Sequence, residues 1–361
     1  MALPLKEAFT ARAIGINWDT YKASLGEPPY LGRTKFGTRK QEGLDLKFIK
    51  GKNGLPVSLK ASNFDAKAPL RDAIGFSDIQ NEMPFFRESY MVTEKEEQDY
   101  ASYVNNTDSR YANQVLANIM KKPLDLIRGA NVVPERMIWQ LLAPSDGVPK
   151  ITLNLNGEAF VIDYTADNGL AHKQDHFTEL TGTSKWDAPA TATPLADLID
   201  VKKTFSKKTG YSLTRFSMNT ETWEMVLAAE DTKKQVLGMV AYQGGIRLED
   251  SDVVKYLRGK GIEIEIYDKM YVAENGLTQY FIPTGVVSCQ SAGVFLGEVV
   301  YGTTPEERSG NKASGNLSIV ETGVAIYTYS TEHPINTHCV ASEIVLPSFE
   351  GMDSVHVIKV A

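Results

Sequence analysis

Apolar and polar positions alternate with period 2 in several short stretches and with period 3.6 in a few longer ones, a mixture that predicts an α+β chain. LDLKFIK (44–50) alternates and reads as a strand, and PFFRESYMVTEKEEQDY (84–100) reads as a strand that turns into a charged run. Between them, residues 51–88 hold Pro56, Pro69 and Pro84, a turn at Asn53-Gly54, and apolar residues in isolated pairs. That pattern excludes a helix of more than two turns. The whole of 44–95 is read as two strands joined by a long protruding loop. Phe64, Leu70, Ile74, Phe76, Phe85 and Phe86 make the loop too apolar for a disordered insertion. A helix is expected to start at an Asp108 cap, with Tyr111, Val115 and Ile119 on one face. Pro123 should kink or break it. Met137, Ile138, Leu141 and Leu142 resume the pattern after Pro134, which suits a first-turn position. Together these predict a long, interrupted helix over about 109–143. ITLNLNGEAFVIDY (151–164) predicts a hairpin turning at Asn156-Gly157.

Residues 165–193 are polar and turn-rich and read as a linker. A helix–strand alternation follows. Pro194 opens a helix through Lys208, with Leu195, Leu198, Ile199, Lys202 and Phe205 on or near one face and a stop at Gly210. A strand at 212–218 leads to Asn219, an N-cap for a helix carrying Trp223, Met225, Val226 and Leu227. A helix near Asp252–Arg258 precedes IEIEIYDKMYVAENGLTQY, where Ile and Glu alternate as in a half-buried strand and Asn275-Gly276 marks a hairpin turn. These elements predict a compact α/β domain from about 191 to 320. The last forty residues return to strand patterns (VAIYTYS, HCVASEIVLPSF, SVHVIKVA) and are expected to run back to the 151–164 hairpin. At the other end, residues 1–42 scatter Phe9, Trp18, Tyr21, Tyr30 and Phe36 among Gly and Pro-Pro. Only a short helix around Trp18–Leu25 is expected there. Aromatics so placed need a surface to bury against, either a partner's or the parent domain's.

The 361 residues suit two domains, and 42% apolar with 23% charged residues is an ordinary globular composition. No apolar run approaches the roughly 18–20 residues that span a bilayer. The N-terminal residues lack the pattern of a signal peptide, so the chain is expected to stay in the cytoplasm where it is made. Cys289 and Cys339, both in apolar strand-like runs, are expected to be buried thiols. The net charge of −7 is uneven: residues 1–60 carry eleven Lys/Arg against five Asp/Glu, a balance of +6, which leaves −13 for the remainder. An acidic body argues against tight nucleic-acid binding. The basic leading segment either lies on a neighbour's acidic surface or is simply solvated.

No catalytic constellation emerges. The chain has no G-x-S-x-G elbow, Walker A or H-E-x-x-H, and Gly244-Gly245 and Gly259-x-Gly261 read as turn punctuation. His172 and His176 have the spacing that puts two imidazoles on one metal if they share a helix. However, ADNGLAHKQDHFT reads as a loop with no third ligand evident. His333, His338 and Cys339 read as structural. No metal, cofactor or catalytic residue is assigned.

Five segments in a fixed order resemble the lambda-type major capsid protein E family of tailed bacteriophages, over nearly the whole chain from about residue 36. LDLKFIKGKNGLP resembles the family's first strand and the entry to its extended loop, and FFRESYMVTEK its returning strand. MIWQLLA with the hairpin ending VIDY resembles the end of the spine helix and the strands after it. TGTSKWDAPATATPLADL resembles the entry to the axial domain. FIPTGVVSCQSAGVFLGEVVYGTTPE resembles a strand, a small-residue segment and a YG turn. The resemblance implies the Hong Kong 97-type fold: an N-terminal arm (1–42), strands with an extended loop (43–94, tip about 51–88), a peripheral domain with a spine helix (95–190), an axial domain (191–320), and strands returning to the peripheral domain (321–361).

It further implies a shell protein, not an enzyme, that assembles as hexamers and pentamers into an icosahedral phage head around double-stranded DNA. Its place would be the virion capsid, after assembly in the bacterial host cytoplasm. Its partners would be copies of itself, a portal protein and packaged DNA held by weak non-specific contact, with no membrane. The leading segment is too short for a built-in scaffolding domain, so a separate scaffolding protein is implied, and an outer decoration protein stays open. Expected intersubunit contacts are Trp18, Tyr30, Phe36, Phe64, Leu70, Ile74, Phe76, Phe85, Phe86, Arg87 and Tyr90. Expected hinges at the loop base are Gly51, Gly54, Pro56 and Pro84. Lys60 and Lys67 lie in the loop where some relatives cross-link, without being assigned that role. An encapsulin-like compartment shell is the alternative within the fold, and a soluble α/β enzyme is the alternative from another class.

Overall fold

The computed structural model describes residues 9–51, 76–105, 109–155, 158–165, 168–238, 248–309, 316–333 and 335–361. The expectations placed on Asn53-Gly54, Pro56, Lys60, Phe64, Lys67, Pro69, Leu70, Ile74, Asp108, Asn156-Gly157 and Gly244-Gly245 lie outside these residues. The helices are α1 (Ala11–Leu25), α2 (Leu31–Lys35), α3 (Glu94–Asn105), α4 (Ser109–Leu142), α5 (Gly169–His176), α6 (Pro194–Thr209), α7 (Thr220–Ala228), α8 (Glu230–Leu237), α9 (Asp250–Gly259) and α10 (Pro305–Arg308). The first strands are β1 (Gly37–Lys40), β2 (Asp45–Gly51), β3 (Phe76–Glu82), β4 (Phe85–Val92), β5 (Lys150–Leu155), β6 (Glu158–Asp163), β7 (Phe177–Glu179), β8 (Leu213–Met218) and β9 (Glu263–Ile266). They are followed by β10 (Met270–Val272), β11 (Thr278–Tyr280), β12 (Val286–Ser291), β13 (Glu298–Tyr301), β14 (Leu317–Val320), β15 (Val324–Glu332), β16 (Ile335–Pro347) and β17 (Val355–Lys359). The chain divides into two compact units, one of residues 1–46, 80–136 and 298–348, the other of residues 47–79, 137–297 and 349–361.

The first unit is built on a sheet ordered β1-β13-β16-β15-β14, with β4 also paired to β16. β16 is its central strand. One edge pairs with β15, and the other pairs first with β4 (Thr337↔Val92 to Ile344↔Phe85) and then with β13 (Val345↔Tyr301 to Pro347↔Val299). Such a strand is covered on both edges, and its second half is buried throughout. Helix α1 lays Ala11, Ile14 and Trp18 against Val320, Val324 and Ile326 of the sheet. Those three helix positions follow the three-to-four spacing of one helical face. The Thr10 side chain caps the helix by accepting from the Ala13 N–H, and Gly26 ends it in the left-handed region. Expectations for residues 1–42 are therefore corrected. The segment holds a fifteen-residue helix, a second short helix and a strand parallel to β13. Its aromatics Phe9, Trp18 and Phe36 are buried in their own subunit.

Helix α4 is continuous through Pro123 and Pro134, so the expected interruption is absent. Each proline removes one intrahelical hydrogen bond at a cost of about 3 kcal/mol. Burial of Ile119, Met120, Leu124 and Ile127 against the first unit's core offsets it. The two-strand reading of 44–95 is also corrected. β3 lies inside the expected loop and pairs with β2, whereas β4 pairs with β16.

The second unit has a sheet ordered β7-β17-β12-β8-β9, in which β12 is antiparallel to both neighbours and the two outer pairs are parallel. Leu195, Leu198 and Phe205 of α6, Trp223 and Val226 of α7, and Val253 and Leu257 of α9 share one core with Phe216, Val287 and Ile358 of the sheet. Two of the expected caps, Asn219 and Gly210, hold. Asn219 Oδ1 accepts from the Thr222 N–H at 2.9 Å, and Gly210 closes α6 with φ of 82°. Gly276, with φ of 78°, lies in the connection between β10 and β11.

Three further expectations fail in this unit. The Ile–Glu strand β9 is not half of that hairpin; it joins β8 in parallel. The supposed linker at 165–193 contains α5 and β7 and buries Phe177 and Trp186, whose large apolar areas outweigh the polar composition around them. The C-terminal strands do not return to the β5–β6 hairpin: β16 and β15 serve the first sheet, and β17 sits between β7 and β12.

Candidate interaction surfaces

Strand parity sorts the first unit's sheet into two faces. Tyr90, Val92, Cys339, Ala341, Val324, Ile326 and Val320 point to the core under α1 and α4. The register puts Phe85, Arg87 and Met91 of β4, His338 of β16, Tyr329 of β15 and Ile319 of β14 on the other face. Phe85, Met91, Tyr329 and Ile319 are all exposed. Met91 stands opposite His338, whose ring stacks on Tyr329 at 4.7 Å, so one apolar and aromatic row crosses three strands. The Arg87 guanidinium lies 4.6 Å from the Phe85 ring centroid and pairs with Glu306 at 2.6 Å.

The sequence-expected contact residues separate on this basis. Phe85 and Arg87 are on the open face. Phe86 and Tyr90 are half-buried on the other. There the Tyr90 hydroxyl donates to Glu96 and accepts from Lys122. Burial first, then Glu27 and Glu135, pushes the Tyr30 phenol up to about 12. Phe76 lies in β3. Trp18 and Phe36 are buried within their own subunit, which removes them from the contact set. Of the expected hinges, Gly51 is the last residue of β2, and Pro84 is buried between β3 and β4.

Charged groups fasten residues 18–40 to the same unit. The buried Glu135 carboxylate accepts from the Gly32 and Arg33 N–H groups at 2.8 and 2.9 Å, at the start of α2. The Arg33 side chain donates to Asn131 and to the Tyr301 hydroxyl. Glu321, whose φ is 52°, accepts from Trp18 Nε1 at 3.2 Å and pairs with Lys22 at 2.7 Å and Arg33 at 3.5 Å. Burial raises the Glu321 carboxyl, but these three donors outweigh it and hold the group below the usual range. Glu343 of β16 is the opposite case. It is 1% exposed, neither carboxylate oxygen has a hydrogen-bond partner, and burial pushes it up to about 8 against the pull of Arg33.

The second unit exposes apolar side chains at two hairpins; the sequence reading predicts both hairpins but does not name these side chains as contacts. Met270, Val272 and Leu277 are open on the β10–β11 hairpin, and Phe160 and Val161 on β6. Among the described residues, one group of three could hold a metal: His172, His176 and Asp353. The segment read as a loop is helix α5, and the missing third ligand comes from a turn almost two hundred residues later.

A family model described as phage major capsid protein E matches residues 26–347. No curated protein matches the chain. Among solved structures, the chain resembles a phage-related protein from Bordetella bronchiseptica RB50, at 11% identity and a TM-score of 0.55, over 97% of each chain. It also resembles a protein assigned as the capsid protein of an Escherichia coli CFT073 prophage, at 11% identity and a TM-score of 0.57, over 98% of this chain and 99% of that one.

Proposed function

The chain belongs to the phage major capsid protein E family, and from that membership we propose that its subunits associate as hexamers and pentamers and close into the icosahedral head of a tailed phage around double-stranded DNA. It is a phage major capsid protein with the Hong Kong 97-type α+β fold, a structural component of the virion capsid and not an enzyme. Among the described residues, no helix is long and apolar enough to cross a membrane.

The observation that carries the assembly reading is the open sheet face of Phe85, Met91, Tyr329 and Ile319. An apolar row on a sheet whose other face is already covered is a surface that binds another protein. In this reading, residues 47–79, which include most of β2 and β3, are the extended loop reaching a neighbour. Gly51, Gly54, Pro56 and Pro84 would set its angle. In the same reading the unit containing most of α4 is the peripheral domain, and the other unit, apart from residues 47–79, is the axial domain at the capsomer centre. Closed symmetry then limits growth, and many weak contacts act together. A portal protein and a separate scaffolding protein are the further partners proposed.

The test is the double variant Phe85→Ser/Met91→Ser. Both side chains are exposed, so the subunit should keep its fold by circular dichroism and lose large particles in sedimentation. Wild-type yields of particles from this variant would exclude the face from assembly.

A further inference from the structure

We propose that His172, His176 and Asp353 form a binding site for a first-row divalent cation of the zinc class. The sheet itself assembles the site. Helix α5 runs directly into β7, and the 3-10 turn Met352–Ser354 runs directly into β17. β7 and β17 pair in parallel with Val357 opposite Phe177. Parallel pairing sets the ends that precede the two strands side by side, which brings the last turn of α5 against Asp353.

Within α5 the two histidines are one turn apart, and their rings lie 4.4 Å centroid to centroid at an interplanar angle of 12°. His176 is buried, and its ring is braced edge-on by Phe205 of α6 at 5.6 Å. Its Nδ1 lies 3.1 Å from the Val355 carbonyl oxygen, which can only accept. Nδ1 therefore carries the proton, and in the neutral ring that binds a metal Nε2 is the nitrogen with the lone pair. That Nε2 faces Asp353 Oδ1 at 3.9 Å, and one ligand atom from each of the three residues lies within 4.8 Å of the others. An outer-shell carbonyl that fixes the imidazole tautomer is the support that histidine ligands usually have. His172 and Asp353 are half-exposed, which leaves an entry path.

Two imidazoles and a carboxylate form a three-ligand set that suits zinc and leaves a fourth tetrahedral position for water. Imidazole donors favour zinc, cobalt, nickel or copper over magnesium and calcium. Bonds of about 2.0–2.2 Å draw the three donors closer than they stand here, a closure within the reach of side-chain rotation. The cation would link helix α5 to the turn that precedes β17, so its binding would stabilise the second unit by mass action.

The full-length protein, stripped with chelator and dialysed, is titrated with zinc by calorimetry and with cobalt by visible absorption. The site predicts one zinc per chain, cobalt bands of a low-coordinate N/O site, and a higher melting temperature with zinc. Asp353→Asn should weaken zinc at least about tenfold, the loss that even an outer-shell change causes. His172→Ala should abolish the cobalt bands, and His333→Ala, at an exposed histidine, should leave both metals unaffected. Absence of zinc binding to the wild type at micromolar concentration would overturn the proposal, as would binding that His172→Ala and Asp353→Asn leave intact. Both altered side chains are partly exposed, and circular dichroism of each variant checks that the fold is kept. The measurement reads the subunit and does not depend on whether it assembles.

Discussion

Glu343 and His356 are buried titratable groups whose opposite shifts give stability a definite pH dependence. Burial lifts the Glu343 carboxyl from 4.5 to about 8. The folded state then holds a proton that the unfolded chain releases, so this contribution is fully present below pH 4.5 and is lost as pH rises through 8. Burial lowers His356 from 6.5 to about 4. Its contribution is present above pH 6.5 and is lost as pH falls through 4. Between pH 6.5 and 8 the slope from Glu343 stands without the one from His356. Urea unfolding across that window should show the wild type losing stability, and Glu343→Gln should flatten the loss. Parallel slopes for the two proteins would contradict the burial argument. At Asn219, a buried cap that also donates to Thr284 at 2.8 Å, Asn219→Ala should lower stability by about 1–2 kcal/mol, read as a urea midpoint shift at unchanged slope.

Caps and tight turns were legible in the sequence because their physics is local: Asn219, Gly210 and Asn275-Gly276 each act within four residues of where they stand. Pairing partners were not legible. β9 reads as half of a hairpin because a turn follows it closely, yet its partner is β8, beyond an intervening helical segment. The three-residue strand Phe177–Glu179 is too short to show a period, and its partner Val357 lies 180 positions away. The metal cluster shared that fate, since His172 and His176 were visible as a pair and Asp353 was not. Parity also decided which members of Phe85, Phe86, Arg87 and Tyr90 point outward, and only the register with β16 supplies the face.

The turn between β14 and β15 gives a further test of an element. Glu321 is held at positive φ and ties α1, through Trp18 and Lys22, and α2, through Arg33, to the sheet. Glu321→Ala should cost roughly 2–3 kcal/mol, the charged hydrogen bonds being the larger part. Glu321→Gly loses the same bonds but relieves the backbone, and should therefore be about 1 kcal/mol less damaging. Equal losses would mean that the turn is not strained.

At the scale of the molecule, the chain crosses between its two units several times, so neither is a continuous stretch of sequence. Composition shifts along a chain cannot locate such boundaries, which is why 137–190 and 349–361 fall with the unit carrying α6–α9 and 298–320 with the other. The sequence did preserve the order of family segments, and that order is what made the shell reading available before any pairing was known. The central claim is that this order encodes a subunit whose function is to meet copies of itself. Electron microscopy of the purified full-length protein, alone and with a candidate scaffolding protein, tests that claim most directly. Rings of five and six subunits, or closed angular shells, are the predicted result, and a monodisperse monomer or dimer under every condition would contradict it.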